Sequence, residues 1–174
     1  MKFLRTGLLL LLIASCNAPK ATYDYDQNYN FTELTTYQFY PDLITRLSQL
    51  DEQRLLRILE SELNLKGFHS AQNPNVYVNF YAEEYETASR NNLGIGVGGG
   101  GGNVGVGVSG GIPIGGPETY LRITFDFIDA SNDSLVWQAI VDSQFNKNAS
   151  PRERELQLKS IVQKALKGYP PKND

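Results

Sequence analysis

The sequence predicts an α+β domain: a mostly antiparallel sheet with two helices packed on one face, plus a glycine-rich β-hairpin or flexible insertion. Three observations point there. Two stretches repeat apolar residues at the helical period, several others alternate apolar with polar residues at the strand period, and a glycine tract interrupts the strands between them.

In chain order, Thr22-Tyr23-Asp24-Tyr25-Asp26 and Thr36-Tyr37-Gln38-Phe39-Tyr40 alternate aromatic with polar side chains and read as strands with one buried face. Asp51 to Lys66 places Leu55, Ile58, Leu59 and Leu63 on one helical face, with Asp51 as N-cap and Gly67 closing the C-terminus. Polar, mixed residues from Leu47 to Arg54 leave the start of that helix open. Val76, Val78, Phe80 and Ala82 form the apolar side of the next strand, and Leu121, Ile123, Phe125 and Phe127 that of the one after it. The tight connection Ala130-Ser131-Asn132-Asp133 turns the chain into a last strand, Ser134 to Phe145, with Leu135, Trp137, Ala139 and Val141 facing one way, so these two strands form an antiparallel hairpin. Ser150-Pro151-Arg152-Glu153 carries a cap, a proline at the first helical position and a glutamate at the third. This capping box opens a helix with Leu158, Ile161, Val162, Ala165 and Tyr169 on one side.

The N-terminus is a targeting device rather than part of the fold. Lys2 and Arg5 precede the apolar run Leu8 to Ala14, which is too short for a spanning helix of about 20 residues, and Ile13-Ala14-Ser15-Cys16 follows. The cysteine directly after small residues resembles the bacterial lipobox. On that reading cleavage falls between Ser15 and Cys16, residues 1–15 are signal peptide, 16–21 a lipidated tether, and 22–174 a single domain. Cys16 is the only cysteine, so it has no disulfide partner within the chain. Two or three acyl chains on it would anchor the protein to a membrane effectively permanently. Asn17, rather than aspartate, follows the cysteine, which under the usual sorting rule points to the outer membrane, facing the periplasm.

Removing residues 1–15 leaves 159 of 174 residues and, with Lys2 and Arg5 gone, moves the net charge from −3 to −5. That length fits one domain. The acidic balance argues against nucleic acid, whose phosphates require clustered Lys and Arg, and against adhesion to anionic lipid.

Between residues 93 and 116, Ile95, Val97, Val104, Val106 and Val108 recur at every second position among glycines. Such a ribbon suits edge pairing with a partner, and these five residues are the candidate interface. Gly94-Ile95-Gly96-Val97-Gly98-Gly99 meets the spacing of a dinucleotide-binding loop, but no helical pattern follows to receive a pyrophosphate. The single histidine, His69, has no nucleophile motif or metal-ligand set around it, so no catalytic residue, metal or cofactor is expected. Carboxylates are plentiful. Asp24, Asp26, Glu83 and Asp126 are the acids from which a glycan hydrolase would draw a catalytic pair.

Several ordered patterns together resemble the bacterial lipoprotein family known as domain of unknown function 4136. They are Tyr23-Asp24-Tyr25-Asp26 soon after the cysteine, Phe31 with Thr36-Tyr37-Gln38-Phe39, and Leu63-Asn64-Leu65-Lys66-Gly67-Phe68. To these add the glycine-rich insert, Ile123-Thr124-Phe125-Asp126-Phe127-Ile128-Asp129 leading to Leu135-Val136-Trp137-Gln138, and a last helix ending in Tyr169-Pro170. The resemblance implies a compact α+β lipoprotein domain without established enzymatic activity, and supplies no catalytic residues. The expectation is a membrane-anchored, non-enzymatic binding or scaffold module with an envelope protein or cell-wall partner; the alternative is a carboxylate-dependent hydrolase of envelope glycans.

Overall fold

The computed structural model describes residues 18–87, 92–93, 112–113 and 116–172. Ser15, Cys16 and the candidate interface residues Ile95, Val97, Val104, Val106 and Val108 lie outside them, as does most of the glycine-rich tract.

The chain runs β1 (Lys20–Tyr25), a short 3-10 turn (Phe31–Glu33), β2 (Thr36–Phe39), α1 (Gln49–Leu65), β3 (His69–Ser70), β4 (Val76–Thr87), β5 (Asn92–Leu93), β6 (Ile112–Pro113), β7 (Glu118–Asp129), β8 (Ser134–Gln144) and α2 (Pro151–Leu166). Six strands form one sheet in the order β1-β8-β7-β4-β2-β3, and β5 pairs with β6. This corrects the expected antiparallel character, because the sheet is mixed. β1, β8, β7 and β4 pair antiparallel, whereas β2 lies parallel to both β4 and β3. The cause is α1. A helix between β2 and β4 carries the chain back to its starting end, so the second strand enters in the same direction as the first.

Register divides the sheet into two faces. Val78, Phe127 and Trp137 are cross-strand neighbours in one row, Phe80, Phe125 and Ala139 in the next, and Ala82, Ile123 and Val141 in a third. All nine are buried, together with Leu55, Ile58, Leu59 and Leu63 of α1 and Leu158, Ile161, Val162 and Ala165 of α2. Both helices therefore cover this face and build one core with it. The centre of the core is aromatic. Phe127 lies 4.8 Å from Trp137 and 4.9 Å from Tyr169, ring centre to ring centre, and Phe68 lies 5.8 Å from Phe127.

Two details depart from the sequence reading. The N-cap of α1 is Ser48, whose hydroxyl accepts from the Asp51 N–H, so the helix begins two residues before Asp51. A β-bulge also interrupts the β7–β8 ladder between Phe127 and Ile128, pairing Phe127 with Trp137 but Ile128 with Leu135. The extra residue, Val136, is buried in place of Leu135, which is 52% exposed. The α2 start is as expected, with both halves of the Ser150/Glu153 capping box formed. Gly67 ends α1 at φ +89°, a conformation that side-chain-bearing residues rarely adopt.

Two stability predictions follow from the end of α2. The Tyr23 ring packs against Gly168, where a Cβ would overlap three ring atoms, and the Tyr23 hydroxyl is tied to the Lys164 carbonyl. Gly168→Ala should therefore cost about 1–3 kcal/mol in denaturant unfolding, the usual range for overpacking. The Tyr169 hydroxyl is buried without a partner among the described residues. Tyr169→Phe removes that unsatisfied group while keeping the ring, and should raise stability by about 1 kcal/mol in the same assay.

Candidate functional site

Among the described residues, the second face of the sheet carries no helix. Alternation along the strands projects the residues between the core positions onto it, again in cross-strand rows. Asp24, Gln138, Asp126 and Asn79 form one row; Thr22, Ile140, Thr124 and Tyr81 the next; Lys20, Asp142, Arg122 and Glu83 a third.

The rows are knit by side-chain bonds. The Gln138 amide donates to Asp126 at 2.7 Å and the Asn79 amide to its other oxygen at 3.2 Å. Arg122 makes a two-pronged contact with Asp142 at 2.9 and 3.1 Å, the fork geometry that suits guanidinium and carboxylate. The Tyr85 hydroxyl donates to the same Asp142 at 2.9 Å, and Arg122 sits over the Tyr85 ring at 5.2 Å. Tyr85 in turn stacks on Tyr120, with ring centres 5.6 Å apart and planes at 19°. Burial, followed by the hydrogen bond to Asp142, pushes the Tyr85 phenol above its ordinary range.

Along one flank of this face the segment after β2 stays on β4, through Tyr40 N–H to the Val78 carbonyl and Ala82 N–H to the Thr45 carbonyl. Between that segment and the sheet runs an open groove of about 440 Å³ lined by Tyr40, Asp42, Ile44, Arg46, Asn79 and Tyr81. Ile44 is 74% exposed on its rim. Tyr40 meets Tyr77 edge to face at 5.8 Å. Arrays of this kind offer rings for stacking beside amide, guanidinium and carboxylate groups for hydrogen bonds, the usual make-up of a recognition surface.

The four acids weighed for hydrolysis occupy different settings. Asp126 is 8% exposed and spends both oxygens on amide donors. Asp24 shares its row but stands two strands away, across Gln138. Asp26 lies past the end of β1 and accepts from the Asn28 N–H, and Glu83 pairs with Arg46 at 3.4 Å. His69 is exposed on the two-residue edge strand β3. Sequence reasoning did not single out Arg122 with Asp142, Asn79 with Gln138, or the groove residues Tyr40 and Arg46. The available signal was the alternation itself, which places the polar partners of the core residues together on the opposite face.

A second recess of about 430 Å³ lies at one end of the sheet, lined by Tyr29, Asn30, Glu33, Asn75, Asp129 and Ser131 among others. The Tyr29 hydroxyl donates to Asp129 at 2.6 Å, while the Ser131 backbone and hydroxyl donate to the other oxygen at 2.7 and 2.6 Å. These bonds, Ser131's foremost, hold the Asp129 carboxyl below its ordinary range, and burial with the bond to Asp129 pushes the Tyr29 phenol well up. A carboxylate so engaged accepts hydrogen bonds and is a poor proton donor. Its stabilising effect is complete above the ordinary carboxylate pKa of about 4 and is lost as pH falls through the depressed value. Tyr29's is complete below about pH 10 and is lost on further alkalinisation. Tyr29→Phe should therefore lower the melting temperature near pH 7 and flatten its decline below about pH 4 and above about pH 10. Thermal melts across pH check this, and unchanged acid and alkaline limbs would exclude the pair as a stabilising contact.

A PDZ domain protein from Parabacteroides distasonis ATCC 8503 superposes with a TM-score of 0.55 at 13% identity, over 90% of this chain and 37% of that one, and shows the fold alone. This chain thus spans little more than a third of that protein's length. The PelC dodecamer from Paraburkholderia phytofirmans gives a TM-score of 0.49 at 15% identity, over 85% of this chain and 94% of that one. No curated protein matches. Residues 21–171, nearly the whole described domain, match the family described as Domain of unknown function (DUF4136), and the chain belongs to that family.

Proposed function

We propose that this protein is a lipid-anchored module of the cell envelope, held through Cys16 at the outer membrane and facing the periplasm, which binds a protein or cell-wall partner and carries out no chemistry of its own. The observation that carries the binding role is the second sheet face, on which long strands align tyrosines, paired amides and a guanidinium–carboxylate fork beside the Tyr40/Tyr81 groove. The lipobox-like Ile13-Ala14-Ser15-Cys16 carries the address. Among the described residues no helix is long and apolar enough to cross a membrane.

The second reading, a glycan hydrolase, would use Asp24 and Asp126, the two of the four acids that share a row on this face. It predicts turnover that Asp126→Asn abolishes. The binding role predicts none.

Photoreactive residues in place of Tyr77 and Tyr81, introduced into the lipidated protein in cells, should yield a discrete adduct. A third in place of Leu65, which is 79% exposed at the end of α1, should yield none of that product. Replacing Tyr81 by alanine should weaken the interaction by about tenfold, as loss of a well-packed aromatic contact does. Equal labelling at all three positions would remove the sheet face as the binding surface.

A further inference from the structure

We infer that the end of the sheet where β1 begins is a membrane-contacting surface, seated on the zwitterionic headgroup layer of the bilayer that carries the Cys16 lipid. The inference rests on the lipidation proposed above and adds which surface of the domain meets the bilayer.

The leash sets the geometry. Pro19 is already seated on the domain, against a recess formed with Ser143, Gln144 and Asn146 at the end of β8 and Gln157 of α2. Only Cys16, Asn17 and Ala18 precede it, and three residues span at most about 11 Å even when fully extended. Of the six strands, β1, β8, β7 and β4 reach this end, since β2 pairs with β4 at Val76 to Val78 and β3 with β2 at Thr36 and Tyr37, both toward the opposite end; at roughly 4.8 Å spacing the four span about 14 Å. A domain held at Pro19 by so short a leash keeps this end beside the membrane, and the surface around Pro19 is the part brought down.

Topology decides what else lies at that end. Lys20 stands in the row of Asp142, Arg122 and Glu83, and the stacked Tyr85 and Tyr120 lie one step further out, in the row of Gln144. Tyrosines, with an apolar ring and a polar tip, favour the headgroup zone. Two of the cations there are matched, Arg122 by Asp142 and Lys147 by Glu84 at 3.2 Å. Glu86 and Glu118 add negative charge nearby, so this end suits zwitterionic rather than anionic headgroups. The recess at Tyr29 and Asp129 lies at the opposite end of the same strands, on the order of 36 Å away at 3.3 Å per residue along β7.

The test uses the full lipidated protein in phosphatidylcholine vesicles containing lipids spin-labelled in the headgroup region. An environment-sensitive fluorophore is placed on a single introduced cysteine, at Glu86→Cys or Asn148→Cys for the membrane end and Asn132→Cys or Leu65→Cys for the far end. Cys16 is blocked by its lipid and does not compete for label. Quenching should be several-fold stronger at 86 and 148 than at 132 and 65, and should not increase when anionic lipid is added. Mass analysis of the N-terminal peptide reports lipidation separately. A lipid-bearing protein quenched equally at both ends, or more strongly at 132, overturns the proposed surface. A chain without lipid on Cys16 overturns both this inference and the anchored reading beneath it.

Discussion

The twelve-pair ladder between β4 and β7 is the constraint on which the rest of the molecule depends. It aligns Val78 with Phe127 and Phe80 with Phe125 under the helices, and by the same pairing sets Asn79 against Asp126 and Tyr85 against Tyr120 on the other side. Side chains alternate with a period of two, so a slip of one residue would send the aromatic core into water and bury the polar rows. Core and candidate surface are two faces of one register. Whatever the open face recognises, its geometry is stabilised by apolar packing it never touches.

That coupling explains how much of the fold was legible in the residues. Long elements with a clean period were read correctly: the buried stripe of α1, that of α2, the capping box at Ser150, and the β7–β8 hairpin with Trp137 in the core. Errors arose where tertiary context decides. Strand direction depends on where a connection returns, and the parallel entry of β2 beside β4 is written in the length of α1 rather than in β2. The bulge at Phe127/Ile128 exchanged Leu135 for Val136, which alternation alone cannot reveal, because both are apolar. Ser48 displaced Asp51 as cap because the first turn starts earlier than its apolar stripe.

The candidate site was less legible than the fold. Its members are ordinary strand residues, and only pairing across β1, β8, β7 and β4 turns Asn79, Asp126 and Gln138 into one network, or Arg122, Asp142 and Tyr85 into another. Asn75 shows the same principle at a loop. Its side-chain oxygen accepts from the backbone and hydroxyls of Thr35 and Thr36, with the shortest bond, 2.8 Å, from the Thr36 hydroxyl. One amide thereby pins the entry of β2 beside β4, across about forty residues of chain.

The place of β1 has a consequence for how the molecule assembles. β1 is the first strand in the chain, yet its partner is β8, with Lys20 opposite Asp142 and Tyr25 opposite Trp137. A chain that emerges N-terminus first, whether from a ribosome or a translocation channel, cannot make this pairing until more than a hundred further residues have followed. Closing so long a loop carries an entropic cost that is met only late, which makes such topologies slow to fold and exposes unpaired strand edges meanwhile. Through that interval Tyr23 and Tyr25 have no core to enter and Trp137 lacks its edge neighbour. The first stretch to emerge is thus among the last to become native, and chaperones that hold it meanwhile would act on the step that completes the fold.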